Sequence, residues 1–278
     1  MNDDSIRHFV AGTVGGVAGV VVGHPFDTVK VRIQSRPDIY KGVPSTFLKI
    51  FKNEGIKGLF KGMLLPVSGV GFTSALCFGV YGNSMNLLRK YRGEEKTKSQ
   101  YFTNVFLAGS ISGTILCALT CPSELVKTRL QIQDHGVKLY NGPLDCARKI
   151  YQTEGLRGLN RGMSATLLRD AGPGYGIYFL SYEMLKDYLG NSALSLMFAG
   201  GSAGVISWIT SYPFDVIKTR MQAPTDGIRE TFLQCTKRSF AQEGWRVFFR
   251  GMNACMIRSF PVNAVTFYGY EWVMNFGK

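Results

Sequence analysis

The chain has 278 residues, of which 45% are hydrophobic and 18% are charged, against roughly 25% charged in an average soluble domain. Its formal net charge of +13 suits a nucleic-acid surface, a membrane surface or an anionic ligand. Because the basic residues recur beside long apolar segments and form no single basic face, we expect no nucleic-acid partner. The six cysteines form no C-x-x-C pair, which predicts buried thiols. No metal-ligand spacing, nucleophile elbow or P-loop is present, so we expect no metal, cofactor or enzymatic activity.

Three copies of one short motif divide the chain. They are PFDTVKVRIQ from residue 25, PSELVKTRLQ from residue 122 and PFDVIKTRMQ from residue 213. Self-similarity at a fixed interval indicates structural repeats, and it overrides any estimate of domain number from length alone. We therefore predict one structural domain made of three repeats, at residues 1–98, 99–190 and 191–278.

Each repeat also contains two long apolar segments. They span residues 6–24, 63–88, 102–121, 163–189, 193–212 and 252–276. The hydrocarbon core of a bilayer needs about 20 residues of helix, so all six segments are long enough to cross it. Glycine pairs at helical spacing, such as Gly15/Gly19, Gly109/Gly113 and Gly200/Gly204, predict close helix packing in lipid. The sequence therefore predicts an all-α membrane protein with six transmembrane helices.

The repeated motif places a proline, an acid, a base and a glutamine in fixed register. Proline disrupts helical hydrogen bonding, and the acid and the base that follow it lie on the same side of the continuing helix. Charged groups at membrane depth are costly unless paired, and they usually mark a functional path. We predict a ring of ion pairs that acts as a gate, braced by the glutamines. Its members are Asp27, Lys30, Gln34, Glu124, Lys127, Gln131, Asp215, Lys218 and Gln222. The arginines of the motif, Arg32, Arg129 and Arg220, are expected to extend to lipid headgroups.

The triple motif, with its glutamines, closely resembles the mitochondrial carrier family over essentially the whole chain. The resemblance implies six tilted transmembrane helices in threefold pseudosymmetry around a central cavity, with short matrix helices, in the mitochondrial inner membrane. A second signature, EGIKGLFKGM at 54, EGLRGLNRGM at 154 and EGWRVFFRGM at 243, resembles the cardiolipin-binding loops of that family. The implied partners are cardiolipin and membrane lipid, with the chain acting as a monomer. The implied lipid-binding residues lie at helix N-termini and are Gly42, Gly62, Gly142, Gly162 and Gly251.

The resemblance also implies a second charged ring on the cytoplasmic side. Repeat two carries Glu183 and Lys186 at the implied positions, whereas repeat three carries Glu271 with Met274 in place of the base. Repeat one has neither charge. We therefore expect a weak cytoplasmic gate with at most one pair between helices, and a ligand-free protein that opens outward.

Gly69, Arg169 and Arg258 lie seven residues beyond Gly62, Gly162 and Gly251 of the second signature. The resemblance implies that family members contact substrate at these positions. Arginine presents a planar fork suited to a carboxylate, and Asp170 suits an ammonium group. Adjacent helical residues point about 100° apart, so Arg169 and Asp170 can each face the cavity without pairing. Mutual neutralisation of the two is the alternative. Repeat one contributes the hydroxyls of Thr73 and Ser74.

These side chains predict a zwitterionic or cationic small-molecule substrate. The last helix resembles the carnitine/acylcarnitine and basic-amino-acid branch of the family. We favour carnitine or acylcarnitine because two arginines against one acid favour a ligand of about zero net charge over a dication. Phe72, Tyr175 and Trp208 can also contact a quaternary ammonium. A basic or methylated basic amino acid of the lysine, arginine or ornithine type is the alternative. A proton or ion leak through the same fold is an alternative of another class. One extra residue within 171–176, relative to repeat three, predicts a bulge near Pro173.

Overall fold

The computed structural model describes residues 3–133, 139–223 and 230–275, without the side chains of 3–9, 193, 194, 267, 271 and 275. Regular structure in these ranges is helical throughout. The uninterrupted long helices are α1 (Asp3–Ser35), α3 (Leu64–Arg92), α4 (Lys98–Ile132), α8 (Ala193–Gln222) and α10 (Met252–Asn275). A sixth long element consists of α6 (Met163–Arg169), a π-helical segment (Asp170–Gly176) and α7 (Ile177–Leu189). Shorter helices connect them: α2 (Val43–Leu59), α5 (Pro143–Leu159) and α9 (Phe232–Glu243), the last followed by a 3₁₀ turn (Trp245–Phe249).

The helical architecture agrees with the predicted all-α fold, and each motif proline lies inside a long helix. Within the described ranges, two helices are long and apolar enough to cross a membrane by length and composition alone. They are α3 and α4, with mean hydropathies of 1.5 and 1.7 over their most apolar windows. The helices α1 and α8 have 33 and 30 residues and, like α4, they end in the charged motif. All six cysteines are buried free thiols, as predicted.

Glycine allows close packing on α1 and α4, but not on the corresponding part of α8. A Cβ atom added to Gly15 would lie 2.4 Å from the Thr266 carbonyl oxygen on α10. One added to Gly113 would lie 2.2 Å from the Asp170 carbonyl oxygen. A Cβ atom at Gly200 or Gly204, in contrast, would meet nothing within 4 Å. The predicted close packing is therefore wrong at that last pair, because no helix lies against its face.

The bulge predicted near Pro173 is confirmed as the π-helical segment Asp170–Gly176. A π-helical turn accommodates one extra residue and changes the partners of the nearby carbonyl groups. Two hydroxyls of α8 satisfy the carbonyls released there. Thr210 Oγ1 donates to the Pro173 carbonyl and Ser207 Oγ donates to the Gly174 carbonyl, both at 2.9 Å. The segment is thereby held between α4 and α8, which fixes the position of Asp170.

We expect Gly113→Ala to destabilise the protein and to displace Asp170. A methyl group 2.2 Å from the Asp170 carbonyl oxygen overlaps backbone atoms that cannot move independently of the helix, and such overpacking typically costs about 1–3 kcal/mol. Gly12→Ala on α1 is the matched control, because its Cβ would meet nothing within 4 Å. The melting temperature of the purified protein measures the effect. Equal melting temperatures for the two variants would contradict this packing.

Candidate functional site

The six charged residues of the motif form a closed ring of ion pairs between repeats. Each lysine pairs with an acid of a different repeat, so that the pairs link the three repeats in a circle. The pairs are Lys127 Nζ–Asp27 Oδ2 at 2.7 Å, Lys218 Nζ–Glu124 Oε2 at 2.8 Å and Lys30 Nζ–Asp215 Oδ2 at 2.7 Å. We call these six residues the charged ring. The predicted pairing is confirmed, and Lys30–Asp215 is the least exposed pair, with side chains 9% and 5% accessible.

The motif glutamines also bridge repeats, although only one of them reaches a charged-ring acid in the described ranges. Gln34 Nε2 donates to Asp215 Oδ2 at 3.2 Å. Gln131 Nε2 donates to Thr28 Oγ1 at 3.2 Å, and Gln222 Oε1 accepts from Thr128 Oγ1 at the same distance. The expected hydrogen bonding of the glutamines across the ring is therefore present for all three, with Gln34 reaching an acid and the other two reaching threonine hydroxyls.

The expectation that the motif arginines extend to lipid headgroups is wrong. Arg32 is completely buried, forms a bidentate ion pair with Glu54, and donates from Nε to the Gln131 carbonyl of the next repeat at 2.9 Å. The same arrangement recurs twice, since Arg129 pairs with Glu154 and Arg220 pairs with Glu243. A buried guanidinium needs such partners because an unpaired buried charge is costly. Burial opposes ionisation of Glu54, but hydrogen bonds from Arg32 and Lys61 hold the pKa of this carboxyl below its ordinary value.

This arginine–glutamate contact was missed in the sequence, although a signal for it was present. The glutamates begin the second signature in all three repeats, at Glu54, Glu154 and Glu243. Because a glutamate recurs after each motif arginine, the sequence indicates an arginine–glutamate contact in the same way that the recurring acid and lysine indicate the charged ring. The basic residue that ends the same signature joins the contact, because Lys61 Nζ lies 2.5 Å from Glu54 Oε2. The signature therefore connects each short helix to the preceding long one.

Arg169 and Asp170 were expected to face the cavity without pairing with each other, but they form an ion pair. Arg169 donates to both oxygens of Asp170, at 2.6 and 2.9 Å, because its long side chain reaches back to the neighbouring carboxylate. The same guanidinium lies 3.0 Å from Glu124 and 3.4 Å from Asp215. Mutual neutralisation, the alternative considered above, is therefore present together with contacts to two charged-ring acids.

Arg258 completes a pattern in which every acid of the charged ring has both a lysine and an arginine partner. Its Nε lies 3.1 Å from Asp27 Oδ1, whereas Lys127 contacts the other oxygen of the same carboxylate. Arg169 is the arginine partner of Glu124 and Asp215. The two predicted substrate-contact arginines therefore touch the charged ring directly.

Two adjoining cavities, of about 280 and 320 Å³, meet at Arg169 and Asp170. They share Glu124 and Tyr175 as well, and the described lining of the first also includes Thr73. Two predicted contacts lie elsewhere. Ser74 is exposed, as is Phe72 with 64% of its surface accessible, and neither lines these cavities. Both face outward because their helical positions are rotated away from that of Thr73.

Trp208 lines the second cavity, together with Tyr175 and Tyr178. The Nζ atom of Lys30 lies 4.7 Å from the centroid of the Trp208 ring, so a cation already occupies one face of this aromatic group. The three aromatic residues lie beside Asp170 and Glu124 in the same cavity lining. A cationic ligand group there would meet both carboxylates and aromatic faces.

The sequence profile described as "Mitochondrial carrier protein" matches the chain three times, at residues 2–92, 98–193 and 190–278. The chain belongs to the mitochondrial carrier family. Similar curated proteins include the "Mitochondrial basic amino acids transporter" of Homo sapiens, 46% identical over 97% of this chain and 90% of that protein. The "Solute carrier family 25 member 45" of Mus musculus is 41% identical over 97% of this chain and 98% of its own length. The "Solute carrier family 25 member 48" of Mus musculus is 40% identical over 98% and 95% respectively.

Family membership establishes the class of activity and the location. The protein is a solute carrier of the mitochondrial inner membrane that crosses it several times, and it is a transporter, not an enzyme. The recognition made from the triple motif is thereby confirmed. The carrier transports a small molecule, as expected from the cavity at Arg169 and Asp170.

The residues predicted to form the cytoplasmic gate form no pair between helices among the described side chains. Lys186 Nζ lies 3.6 Å from Glu183, three residues earlier on the same helix. Glu183 instead accepts a hydrogen bond from Tyr101 of α4 at 2.9 Å. The side chain of Glu271 lies outside the described residues. The described pairs agree with the expected weakness of this gate, while the gating role itself stays a prediction.

The five glycines predicted to bind cardiolipin all lie where a helix begins. Gly42 and Gly142 are the N-cap residues of α2 and α5. Gly62, Gly162 and Gly251 have φ angles of 79°, 82° and 83° and precede α3, α6 and α10. A positive φ strains any residue with a Cβ, and a Cβ at Gly162 would also lie 3.0 Å from Gln222 Cγ.

Proposed function

We propose that the carrier moves a small molecule bearing both a carboxylate and a cationic nitrogen. The observation that carries this proposal is the contact of one guanidinium, Arg169, with the carboxylates of Asp170, Glu124 and Asp215. A ligand carboxylate that binds Arg169 must displace at least one of these acids. Glu124 and Asp215 keep their lysine partners, whereas Asp170, whose described ion pair is with Arg169, then needs a cation, because an unpaired buried charge is costly. A zwitterion supplies both charges, whereas a simple anion or cation leaves one protein group unpaired.

A basic amino acid of the lysine, arginine or ornithine type is the first candidate substrate. Relatives named as basic amino acids transporters share 45–46% identity with this chain over 97% of its length. Such a solute has an α-carboxylate for Arg169 and a side-chain cation for the displaced acid. Its second cationic group favours the acidic side of the cavity, where Asp170 and Glu124 lie together.

Carnitine or acylcarnitine, favoured from the sequence, is the second candidate. The observation that favours it is the aromatic wall formed by Tyr175, Tyr178 and Trp208 beside Asp170. A quaternary ammonium cannot donate hydrogen bonds, so aromatic faces and a nearby carboxylate are its natural partners. The same wall also suits the guanidinium of arginine or a methylated amine.

The charged ring closes the matrix side of the cavity in this proposal, with Gln34, Gln131 and Gln222 holding the repeats together. Substrate binding at Arg169 and Arg258 draws these arginines away from Glu124, Asp215 and Asp27 and thereby weakens the ring. The cytoplasmic gate contains Glu183, Lys186 and Glu271 and is the weaker of the two. Transport proceeds by alternating access between these gates.

The test is exchange by the purified carrier in liposomes, with lysine, arginine, ornithine, trimethyllysine, carnitine and choline as competitors. We expect saturable uptake of a ligand that carries both charges, with choline competing poorly because it lacks a carboxylate. Unsaturable charge movement without any of these solutes would indicate a leak instead. Competition by choline as strong as that of carnitine would contradict the zwitterion proposal.

Cardiolipin is the proposed lipid partner, bound by a single carrier chain at the helix starts marked by Gly42, Gly62, Gly142, Gly162 and Gly251. Helix N-termini favour phosphate because their backbone amides and dipole point at it. We expect added cardiolipin, but not phosphatidylcholine, to raise the melting temperature in detergent. Equal stabilisation by both lipids, or a dimer by light scattering, would contradict this proposal.

A further inference from the structure

The residue before the motif proline differs between the three repeats. It is His24 in repeat one, Cys121 in repeat two and Tyr212 in repeat three, and all three side chains are completely buried. None of the three is among the described residues that line the two cavities at Arg169 and Asp170. Contact with substrate therefore does not account for this position, and its role lies in contacts within the protein.

Tyr212 connects α8 to α1 and to the segment that precedes α10. Its hydroxyl accepts a hydrogen bond from Gln34 Nε2 and donates one to the Arg250 carbonyl oxygen, both at 3.1 Å. The second hydrogen of Gln34 Nε2 goes to Asp215 Oδ2 at 3.2 Å. The centroid of the Tyr212 ring lies 5.2 Å from Lys30 Nζ, within the range of a cation–π contact. Tyr212 therefore holds both Gln34 and Lys30 against the same acid.

In repeat one, the residue before the motif proline also meets the glutamine of the next repeat. His24 Nε2 lies 2.8 Å from the Lys61 carbonyl oxygen and 3.3 Å from Gln131 Nε2. Because a carbonyl oxygen can only accept, this ring nitrogen carries the hydrogen and donates it to Lys61. It cannot also accept from Gln131, whose amide donates to Thr28 instead. The link between His24 and the glutamine is therefore a contact without a hydrogen bond, and it is weaker than that of Tyr212.

Repeat two has no such link within the described residues. Gln222 Nε2 is buried and has no hydrogen-bond partner there, whereas the amide nitrogens of Gln34 and Gln131 both donate. Cys121 occupies the corresponding position, and its thiol is a weak hydrogen-bonding group whose described contact is with Thr166 at 3.9 Å. The junction between repeats two and three is therefore held without a contribution from the residue before the proline.

We propose that Tyr212 is a positioning residue of the charged ring, which fixes Gln34 and makes the junction between repeats three and one the most firmly closed of the three. This inference rests on the proposed function, because it takes the charged ring to be the matrix gate. The exposure of the ring acids agrees with it, since the side chain of Asp215 is 5% accessible, while those of Asp27 and Glu124 are 20% and 29% accessible. Because Tyr212 lies outside the described cavity lining, its loss changes the closure of the gate and leaves the choice of ligand unchanged.

The test is labelling of the ligand-free carrier in liposomes by a membrane-impermeant thiol reagent, applied from the matrix side. Gly69→Cys supplies the reporter, because Gly69 lines the first cavity and an added Cβ there meets nothing within 4 Å. Tyr212→Phe keeps the aromatic ring beside Lys30 and removes only the hydroxyl. A hydrogen bond of ordinary net strength corresponds to about fivefold in an equilibrium constant, so we expect labelling to become at least about fivefold faster. Gln34→Leu removes the same hydrogen bond from the other side and should accelerate labelling at least as much.

Cys121→Ala is the matched control, because it changes the corresponding position in repeat two, and it should leave the labelling rate nearly unchanged. In a Gln34→Leu background, Tyr212→Phe should add less than it does alone, because both changes break one shared bond. Omission of the reporter cysteine controls for general loosening, which would expose the six buried native thiols as well. The ratio of competition by lysine to competition by carnitine should be the same in Tyr212→Phe as in the wild-type carrier.

Unchanged labelling in both Tyr212→Phe and Gln34→Leu would overturn the proposal, as would full additivity of the two changes. Equal acceleration by Cys121→Ala would overturn the difference between the junctions, and an altered ligand ratio would show that Tyr212 acts on substrate. Lys30→Ala separates this inference from the proposed function. If Lys30→Ala accelerates labelling and Tyr212→Phe does not, Tyr212 is not a positioning residue and the gate stands. If neither does, the charged ring is not the matrix gate and both proposals fail.

Discussion

Replacing Lys30 by alanine is expected to lower the exchange rate in liposomes at least about a hundredfold. Lys30 pairs with Asp215 at 2.7 Å, and both side chains are almost fully buried. Breaking a buried pair by removing one partner typically costs about 3–5 kcal/mol, because the remaining charge is left uncompensated. Closure of the charged ring then becomes unfavourable in each transport cycle. The initial rate of substrate exchange under saturating internal substrate measures the effect.

Lys186→Ala is the matched control for this change, since it removes the same side chain from the other end of the carrier. Lys186 is 36% exposed, and its described pair lies within its own helix at 3.6 Å, so the expected loss is small. The double change Lys30→Ala with Asp215→Ala removes both charges and should recover part of the melting temperature lost in Lys30→Ala. Wild-type exchange by Lys30→Ala would show that the charged ring is not a gate.

The substitutions Arg169→Gln and Asp170→Asn are expected to damage substrate recognition in different ways. Arg169→Gln removes the group assigned to the carboxylate, so competition by carnitine should fall toward that of choline. Asp170→Asn weakens the cationic side, and most of all for a quaternary ammonium that has no hydrogens to donate. Each loss should be about 2–5 kcal/mol in binding, because a buried charge loses its partner. Competition by carboxylate-bearing and carboxylate-free cations against each variant measures both effects.

The contacts of Arg169 with Glu124 and Asp215 add a second expectation. Arg169→Gln should also loosen the charged ring, whereas Asp170→Asn should not, because Asp170 contacts Arg169 and no lysine of the ring among the described pairs. Accessibility of the cavity to a cysteine reagent from the matrix side separates the two variants. Equal losses for both ligand types in both variants would identify a purely structural ion pair.

The triple motif determined the family, the helical fold and the ring of paired acids and lysines from the sequence alone. Acid, base and glutamine recur in fixed register, so the repeat itself specifies which groups meet around a threefold arrangement. The extra residue near Pro173 likewise predicted the π-helical segment, because a helix can absorb one added residue only as a local bulge. These features depend on spacing along one chain, and spacing is visible in the sequence.

The tertiary structure alone decided which partners the arginines take. Arg32 was expected at the lipid surface, but it is buried against Glu54, and Arg169 reaches two acids on other helices besides its neighbour Asp170. The sequence also did not show that the face at Gly204 is unpacked, because a pair of glycines at helical spacing is the same whether or not another helix packs against it. Long side chains and helix separations depend on contacts between segments far apart in the chain. Periodicity constrains which face of a helix a residue occupies, but only the assembled bundle determines what lies opposite that face.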